Sequence, residues 1–332
     1  CFFFQAEDGI RDLVRSRGLR DVYKRQRYNN YLGEVILGLD PFDARGSVDY
    51  EVVTRVGRAL KVDAATVEED PEVVGIVQPY ADLLAAYNAT ELGQTEVPIT
   101  ALAAYTEETN GANLQADASV WELEVRNGID VDFHLSGAMS NRAVAPTATP
   151  ANPHMLTVAD MFTLMPYENS LVVMEMNGPQ IKEVLERSYR NYYYYEHVDG
   201  YGGYSYYTTC FLDTNAGNRI VYNDTFPALP DGNNVTAFYH YCVPIDLTDA
   251  DTYYRVSTVN YLAAGACNYS DGGTTLWPLD QIVNDTQFYV RDAVINYVMD
   301  RTPPPIAPSV GGRILFQLPT LMNLWLPFVA NQ

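Results

Sequence analysis

Residues 161–186 read MFTLMPYENSLVVMEMNGPQIKEVLE, and the hydrophobic pattern changes period within them. Leu171 to Met174 is an apolar run with paired valines, resumed at Met176 after Glu175, as a buried strand requires. After a turn at Asn177 and Gly178, Ile181, Val184 and Leu185 recur at intervals of three and four, which predicts a helix over Gln180 to Arg190. Just upstream, Thr157 and Asp160 open a short helix that ends near Pro166. The segment Pro166-Tyr167-Glu168-Asn169 joins that helix to the strand.

Working upstream, Thr109 is a candidate cap for a helix from about Asn110 to Arg126, with Leu114, Ala118, Trp121, Leu123 and Val125 on its buried side. Ile129, Val131, Phe133 and Leu135 alternate with polar residues and predict a strand, followed by a loop from Ser136 to Arg142. Residues 71–96 predict a linker helix, its apolar residues Val73, Ile76, Val77, Tyr80, Leu83, Leu84 and Tyr87 spaced as one helical face, with Pro79 expected to kink or restart it. Gly93 to Thr100 reads as linker. Tyr31 to Leu39 and Val48 to Val53 read as a hairpin turning at Ala44 to Ser47, a pair that needs a partner sheet.

Downstream, strands are expected at Tyr204–Leu212, Arg219–Tyr222, Val235–Tyr241 and Tyr254–Val259, then a helix over Gln287–Arg301 stopping before Pro303. Helices and strands intermix without strict βαβ alternation. That order predicts an α+β domain with a mixed sheet over residues 97–317. The apolar stretch from 318 to 332 is broken by Pro319, Asn323 and Pro327 and reads as a tail; no uninterrupted apolar span of membrane length occurs.

The composition restricts function. With 42 acidic against 21 basic residues the formal net charge is −21, and such a field repels polyanions, so no nucleic-acid polymer is expected as a partner. A small anion can still bind where one arginine overcomes a field that salt screens over about 10 Å. Tyrosine is abundant at 26 residues. Of the four cysteines, Cys1, Cys210, Cys242 and Cys267, none has metal-site spacing. A disulfide among the last three, with Cys210–Cys267 favoured, stands beside the reading of three free thiols.

The opening run, CFFFQAEDGIRDLVRSRGLRDVYKRQ over residues 1–26, differs from the rest of the chain and is similar to translated sequencing-adapter DNA. The competing reading is a basic amphipathic helix from Glu7 to Lys24. On the adapter reading these residues carry no fold information, and native sequence is expected to have been lost upstream of about Arg27.

Four motifs in order resemble the C-terminal domain of the 5'-nucleotidase family: EETNGANLQADA at Glu107–Ala118, the Met161–Glu186 stretch, YRVSTVNYLAAG at Tyr254–Gly265, and RDAVINYV with GRILF at Arg291–Phe316. The resemblance implies a substrate-recognition domain, with residues 27–70 a remnant of a metallophosphoesterase domain. It implies a nucleotide or nucleoside as ligand, its base stacked between Tyr167 and Tyr261, an arrangement that suits any base because each presents a π face. On the residues alone, both tyrosines could equally be packing residues. The family's phosphate-binding loop corresponds to Ser136 through Asn141 and Arg142, whose guanidinium suits bidentate phosphate contact. Asn260 adjoins the second stacking ring, and Asp271 stands near the family's ribose-binding acid. Ser136 replaces the family's asparagine and two glycines of that loop are changed.

Members of that family hydrolyse phosphate esters with two divalent metals. His134, His154, His197 and His240 lie outside any metal-binding context, so no metal ligand or catalytic residue is expected in this chain. The resemblance therefore implies a catalytic domain in cis upstream, in a protein that is extracellular, periplasmic or at the cell surface. A nucleotide-binding module without hydrolysis, and a non-nucleotide esterase of the same architecture, are the alternatives.

Overall fold

The computed structural model describes residues 31–44, 47–63, 65, 67–198, 210–223 and 233–317. The expectations for residues 1–30, for 204–209 and for the tail 318–332 lie outside them. The chain divides into two compact units, Cys1–Leu83 and Leu84–Gln332.

In the first unit, β1 (Tyr31–Ala44) and β2 (Ser47–Lys61) form an antiparallel hairpin closed at Ala44 and Ser47. Both strands are longer than the sequence predicts, because pairing continues through Gly38, whose missing Cβ lets the Thr54 side chain approach. Leu32, Val35, Ile36, Leu37, Val53 and Val56 stay exposed on this two-stranded sheet. Helix α1 (Pro71–Asn88) begins where the Asp70 carboxylate accepts the Glu72 N–H at 2.9 Å. It runs uninterrupted through Pro79, which removes only one N–H from its interior, and no residue of it is buried.

The second unit holds the last residues of α1 and then β3 (Glu91–Thr95) and β4 (Ile99–Thr100), so the expected linker at 93–100 is instead largely paired backbone. Helix α2 (Asn110–Trp121), capped by the Thr109 hydroxyl, continues as a π-turn over Glu122–Arg126. Strand β5 (Phe133–Ser136) starts later than predicted. The Asp132 side chain takes the Arg255 N–H at 2.7 Å that a ladder carbonyl would otherwise accept. Strands β6 (Ala143–Val144) and β7 (His154–Thr157) pair with β4 and β3.

Helix α3 (Val158–Leu164) carries the expected Thr157/Asp160 box, both groups satisfying each other's backbone. After it come β8 (Ser170–Asn177) and α4 (Gly178–Val198). Asn177 and Gln180 exchange hydrogen bonds of 2.9 and 3.1 Å, so the predicted turn is a helix cap. Gly178 is obligatory there, since a Cβ would meet the Asp249 carbonyl oxygen at 2.9 Å.

Cys210–Leu212 is not strand; β9 (Asp213–Thr214), β10 (Asn218–Asn223), β11 (Val235–His240) and β12 (Val243–Pro244) follow. Then come β13 (Tyr253–Val259), the single turn α5 (Asn260–Ala263), and a small hairpin of β14 (Ser270–Asp271) and β15 (Thr274–Thr275). The chain continues through β16 (Ile282–Tyr289), α6 (Val290–Arg301) and β17 (Ile314–Gln317). Gln287 therefore belongs to a strand rather than the last helix. It takes φ 57° at a break in register, where the Thr286 hydroxyl reaches the Leu171 carbonyl at 2.7 Å.

The main sheet has the order β16-β8-β13-β5-β9, with β5 parallel to β13 and the other pairs antiparallel. A second sheet, β12-β11-β10-β17, has β17 parallel to β10. The architecture is the expected α+β with mixed sheets. Leu171, Val173, Met174 and Met176 on β8 and Phe133 and Leu135 on β5 are completely buried, each such side chain contributing about 1.5–3 kcal/mol. This interior fixes the strand register, and register decides which loops meet at the sheet's end.

Candidate functional site

Leu171 pairs with Val259, so β8 begins at the edge of the sheet where β13 ends. β5 runs parallel to β13 and finishes at that edge with Ser136; β16 finishes there with Tyr289 opposite Ser170. The topology thus gathers three sequence-distant segments: Tyr167 before β8, Asn260 and Tyr261 after β13, and the 136–142 loop after β5.

Tyr167 and Tyr261 are 59% and 54% exposed, and among the described residues neither ring stacks on another aromatic. Large exposed rings at one sheet end are unlike packing residues, which bury their faces. Their backbones, by contrast, are fixed. Asn260 Oδ1 accepts the Ser170 N–H at 3.1 Å, tying the root of one tyrosine segment to the other. In the segment around Tyr167, the buried Arg291 donates to the Met165 carbonyl at 3.1 Å, lies 3.9 Å from the Phe162 ring centre and approaches Glu168 at 3.7 Å. The Val290 N–H adds a 3.0 Å bond to the Asn169 carbonyl.

The loop after β5 is fastened along its backbone. Gln115 donates to the Gly137 carbonyl at 3.0 Å and accepts from the Met139 N–H at 3.2 Å; the Ser140 hydroxyl donates to the Leu164 carbonyl at 2.7 Å, three residues before Tyr167. The Arg142 carbonyl accepts the Ala101 N–H at 2.8 Å. Asn141 and Arg142 are exposed, and the guanidinium has no ion-pair partner among the described residues. Ser136 is different: it is 2% exposed, with its hydroxyl 3.2 Å from the Gly137 carbonyl oxygen, so it shapes the loop from below.

Asp271 faces solvent on the β14–β15 hairpin, where its carboxylate accepts from Arg187 at 2.6 Å. Arg187 is buried on α4 and also donates to the Ser270 carbonyl at 3.0 Å, while Asn191 of the same helix donates to the Cys267 carbonyl at 2.9 Å. Cys267 is disulfide-bonded to Cys210, with Cα atoms 5.9 Å apart, and Cys242 is free and exposed. This resolves the alternatives left by the cysteine spacing.

Sequence reasoning missed Arg187 and Arg291, although each carried a signal. Arg187 falls three residues after Val184, on the apolar face of its helix, and Arg291 is a cation in a helix's first turn, where the dipole disfavours it. Both are there because their partners lie elsewhere in the fold.

Two buried ionisable groups lie at β5, His134 on the strand itself and Asp213 on the neighbouring β9. Burial pushes the Asp213 carboxyl up to about 8, the nearby Arg313 opposing this only in part. Burial lowers His134 to about 3, leaving a neutral ring whose Nδ1 is 2.8 Å from the Ser257 hydroxyl. His240 Nδ1 lies 2.8 Å from Asn218 Oδ1. Among the described residues no group of three or more His, Cys, Asp or Glu side chains could hold a metal ion, and no helix is long and apolar enough to cross a membrane.

Residues 91–271 match the family model of the 5'-nucleotidase C-terminal domain. The trifunctional nucleotide phosphoesterase protein YfkN of Bacillus subtilis (strain 168) is 26% identical over 255 residues, covering 75% of this chain and 15% of that protein. Among solved structures, a 5'-nucleotidase precursor from Thermus thermophilus has TM-score 0.55 and 21% identity, over 86% of this chain and 50% of its own. The NAD nucleotidase of Haemophilus influenzae has TM-score 0.53 and 16% identity, over 86% and 54%. These two share the fold. The chain spans about half the length of these structures and far less of the Bacillus protein.

Proposed function

The chain belongs to the family of 5'-nucleotidase C-terminal domains, and on that premise we propose that it is the substrate-recognition part of a secreted, metal-dependent nucleotide phosphohydrolase. The ligand is a nucleoside or nucleotide. Its base enters between Tyr167 and Tyr261, and its phosphate meets Arg142 with Asn141 beside it. Asn260 and Ser136 act as supports for these contacts, and Asp271, already paired with Arg187, stands at the border of the site.

The observation that carries this reading is the pair of half-exposed tyrosines whose segments are joined through Asn260 and Ser170 while their rings stay uncovered. Stacking on such rings contributes about 1–3 kcal/mol per base. An unpaired guanidinium on a braced loop adds a charge-assisted contact suited to phosphate.

The two divalent metals that such a hydrolase uses would activate water and stabilise developing charge. The described residues offer no donor cluster for them. We therefore place the metal site in a catalytic domain in cis and assign this chain no hydrolytic step. Residues 27–70 are proposed as the remnant of that domain. The same lack of donors favours the second reading, nucleotide binding without hydrolysis by this chain. The Cys210–Cys267 disulfide suits an oxidising compartment, such as the periplasm or the cell exterior.

Calorimetric titration of the 332-residue chain with adenosine, AMP and UMP tests the proposal. Binding is expected, weakened by about 1–3 kcal/mol in Tyr167→Ala and in Tyr261→Ala. No binding of any of the three, or full affinity in both variants, would remove the nucleotide reading.

A further inference from the structure

The two halves of the site are remote along the chain, and one covalent bond lies between them. Cys267 follows Tyr261 by one short turn, in a loop that Asn191 and Arg187 hold from α4. Cys210 precedes β9, whose Asp213 pairs with Ser136 at the end of β5. The backbone at Cys210 lies directly against Gly137, where a Cβ would come within 2.9 Å of the Cys210 Cα. Gly137 begins the loop that carries Arg142. The Cys210–Cys267 bond thus connects the segment packed against Gly137, at the start of the Arg142 loop, to the loop that follows Tyr261 in the chain.

We infer that this disulfide is a positioning staple, which fixes the spacing between the base-stacking tyrosine and the Arg142 loop so that one ligand engages both. The inference rests on the nucleotide reading above. Two subsites held at a fixed separation act on a ligand that spans them as a tethered pair, and the second contact forms at high effective concentration. A ligand that touches one subsite gains nothing from the tether.

The bond is not the only support of its neighbours. The Tyr269 hydroxyl donates to the Cys210 carbonyl at 2.7 Å and the Leu212 N–H donates to the Ser188 hydroxyl at 2.8 Å. Cleavage should accordingly loosen the spacing and leave the fold in place.

The test compares adenosine, which needs the base subsite, with AMP, which needs both. Each is titrated into the full chain in a Cys242→Ser background, with the disulfide intact, after reduction by a phosphine, and after reoxidation. Cys210→Ser/Cys267→Ser serves as the irreversible counterpart, and far-ultraviolet circular dichroism follows the fold throughout. The expected result is that the preference for AMP over adenosine falls by about threefold or more on cleavage, adenosine affinity moving less, and that reoxidation restores it. An unchanged preference after thiol titration has confirmed cleavage overturns the staple while sparing the nucleotide reading. Loss of the folded signal on reduction also overturns it, in favour of a purely stabilising bond. Failure of the disulfide-intact protein to bind either ligand removes both readings together.

Discussion

Asn260 Oδ1 accepts the backbone N–H of Ser170 at 3.1 Å, across the point where β13 ends and β8 begins. This bond joins the segments that carry Tyr261 and Tyr167, and Ser170 itself is buried. Asn260→Ala would strand the donor without a partner, a loss of about 1–3 kcal/mol. Urea unfolding should show a destabilisation of that size, and adenosine affinity should fall although no stacking atom has been removed. A variant with wild-type affinity would show that the segments keep their places without the bond.

Arg291 braces the chain on either side of Tyr167, at Met165 and at Glu168, and is not among the residues assigned to the ligand. Its guanidinium bonds the Met165 carbonyl and lies over Phe162. Arg291→Met keeps most of the volume but loses both interactions and should cost about 1–3 kcal/mol in denaturant unfolding. Tyr167→Ala should change stability little, because the ring is more than half exposed. Equal destabilisation by the two substitutions would mean that the tyrosine is a packing residue after all.

Local patterns made the centre of the domain legible in the sequence. The apolar run at Leu171–Met174, with Met176 beyond Glu175, lies in β8, and Thr157 with Asp160 forms the expected cap. What escaped depends on partners far along the chain. Glu91–Thr95 becomes strand through His154–Thr157, and Asp132 shortens β5 by bonding Arg255. The same holds for the site. Tyr167 and Tyr261 came with motifs that can be read locally, whereas Asn260 acquires its bracing role only through the register of β8 on β13. Arg187 and Arg291 were visible as misplaced charges, but their partners could not be named without the fold.

Hydrolysis gives a separate expectation. The described residues offer no cluster of metal-donor side chains, and metal-assisted attack on a phosphate ester needs an ion held beside the reacting oxygen. On the proposal that the metal site belongs to a catalytic domain in cis, this chain incubated with AMP and Mn²⁺, Co²⁺ or Zn²⁺ should release phosphate no faster than buffer. Turnover dependent on the protein would show that it holds a catalytic centre of its own.

Stability should depend on pH through Asp213 and His134. One oxygen of Asp213 accepts the Thr214 N–H at 2.7 Å and the other has no partner among the described residues. Burial pushes this carboxyl up to about 8, with Glu108 and Asp117 adding to the rise and Arg313 opposing it. Unfolded, the same group titrates near 3.9. The folded state therefore binds more protons between those values, and the stabilisation, complete below about pH 4, is lost as pH rises toward 8. His134 has the opposite sign: lowered to about 3 by burial, it contributes fully above about 6.5 and less as pH falls. The two slopes offset each other between about pH 4 and 6.5, which leaves Asp213 alone above that. Urea unfolding should show about 1–2 kcal/mol lost between pH 6.5 and 8, and Asp213→Asn, which cannot ionise, should be flat over the same interval. A decline that persists in Asp213→Asn would place the titrating group elsewhere and show that Asp213 does not keep its proton in the folded protein.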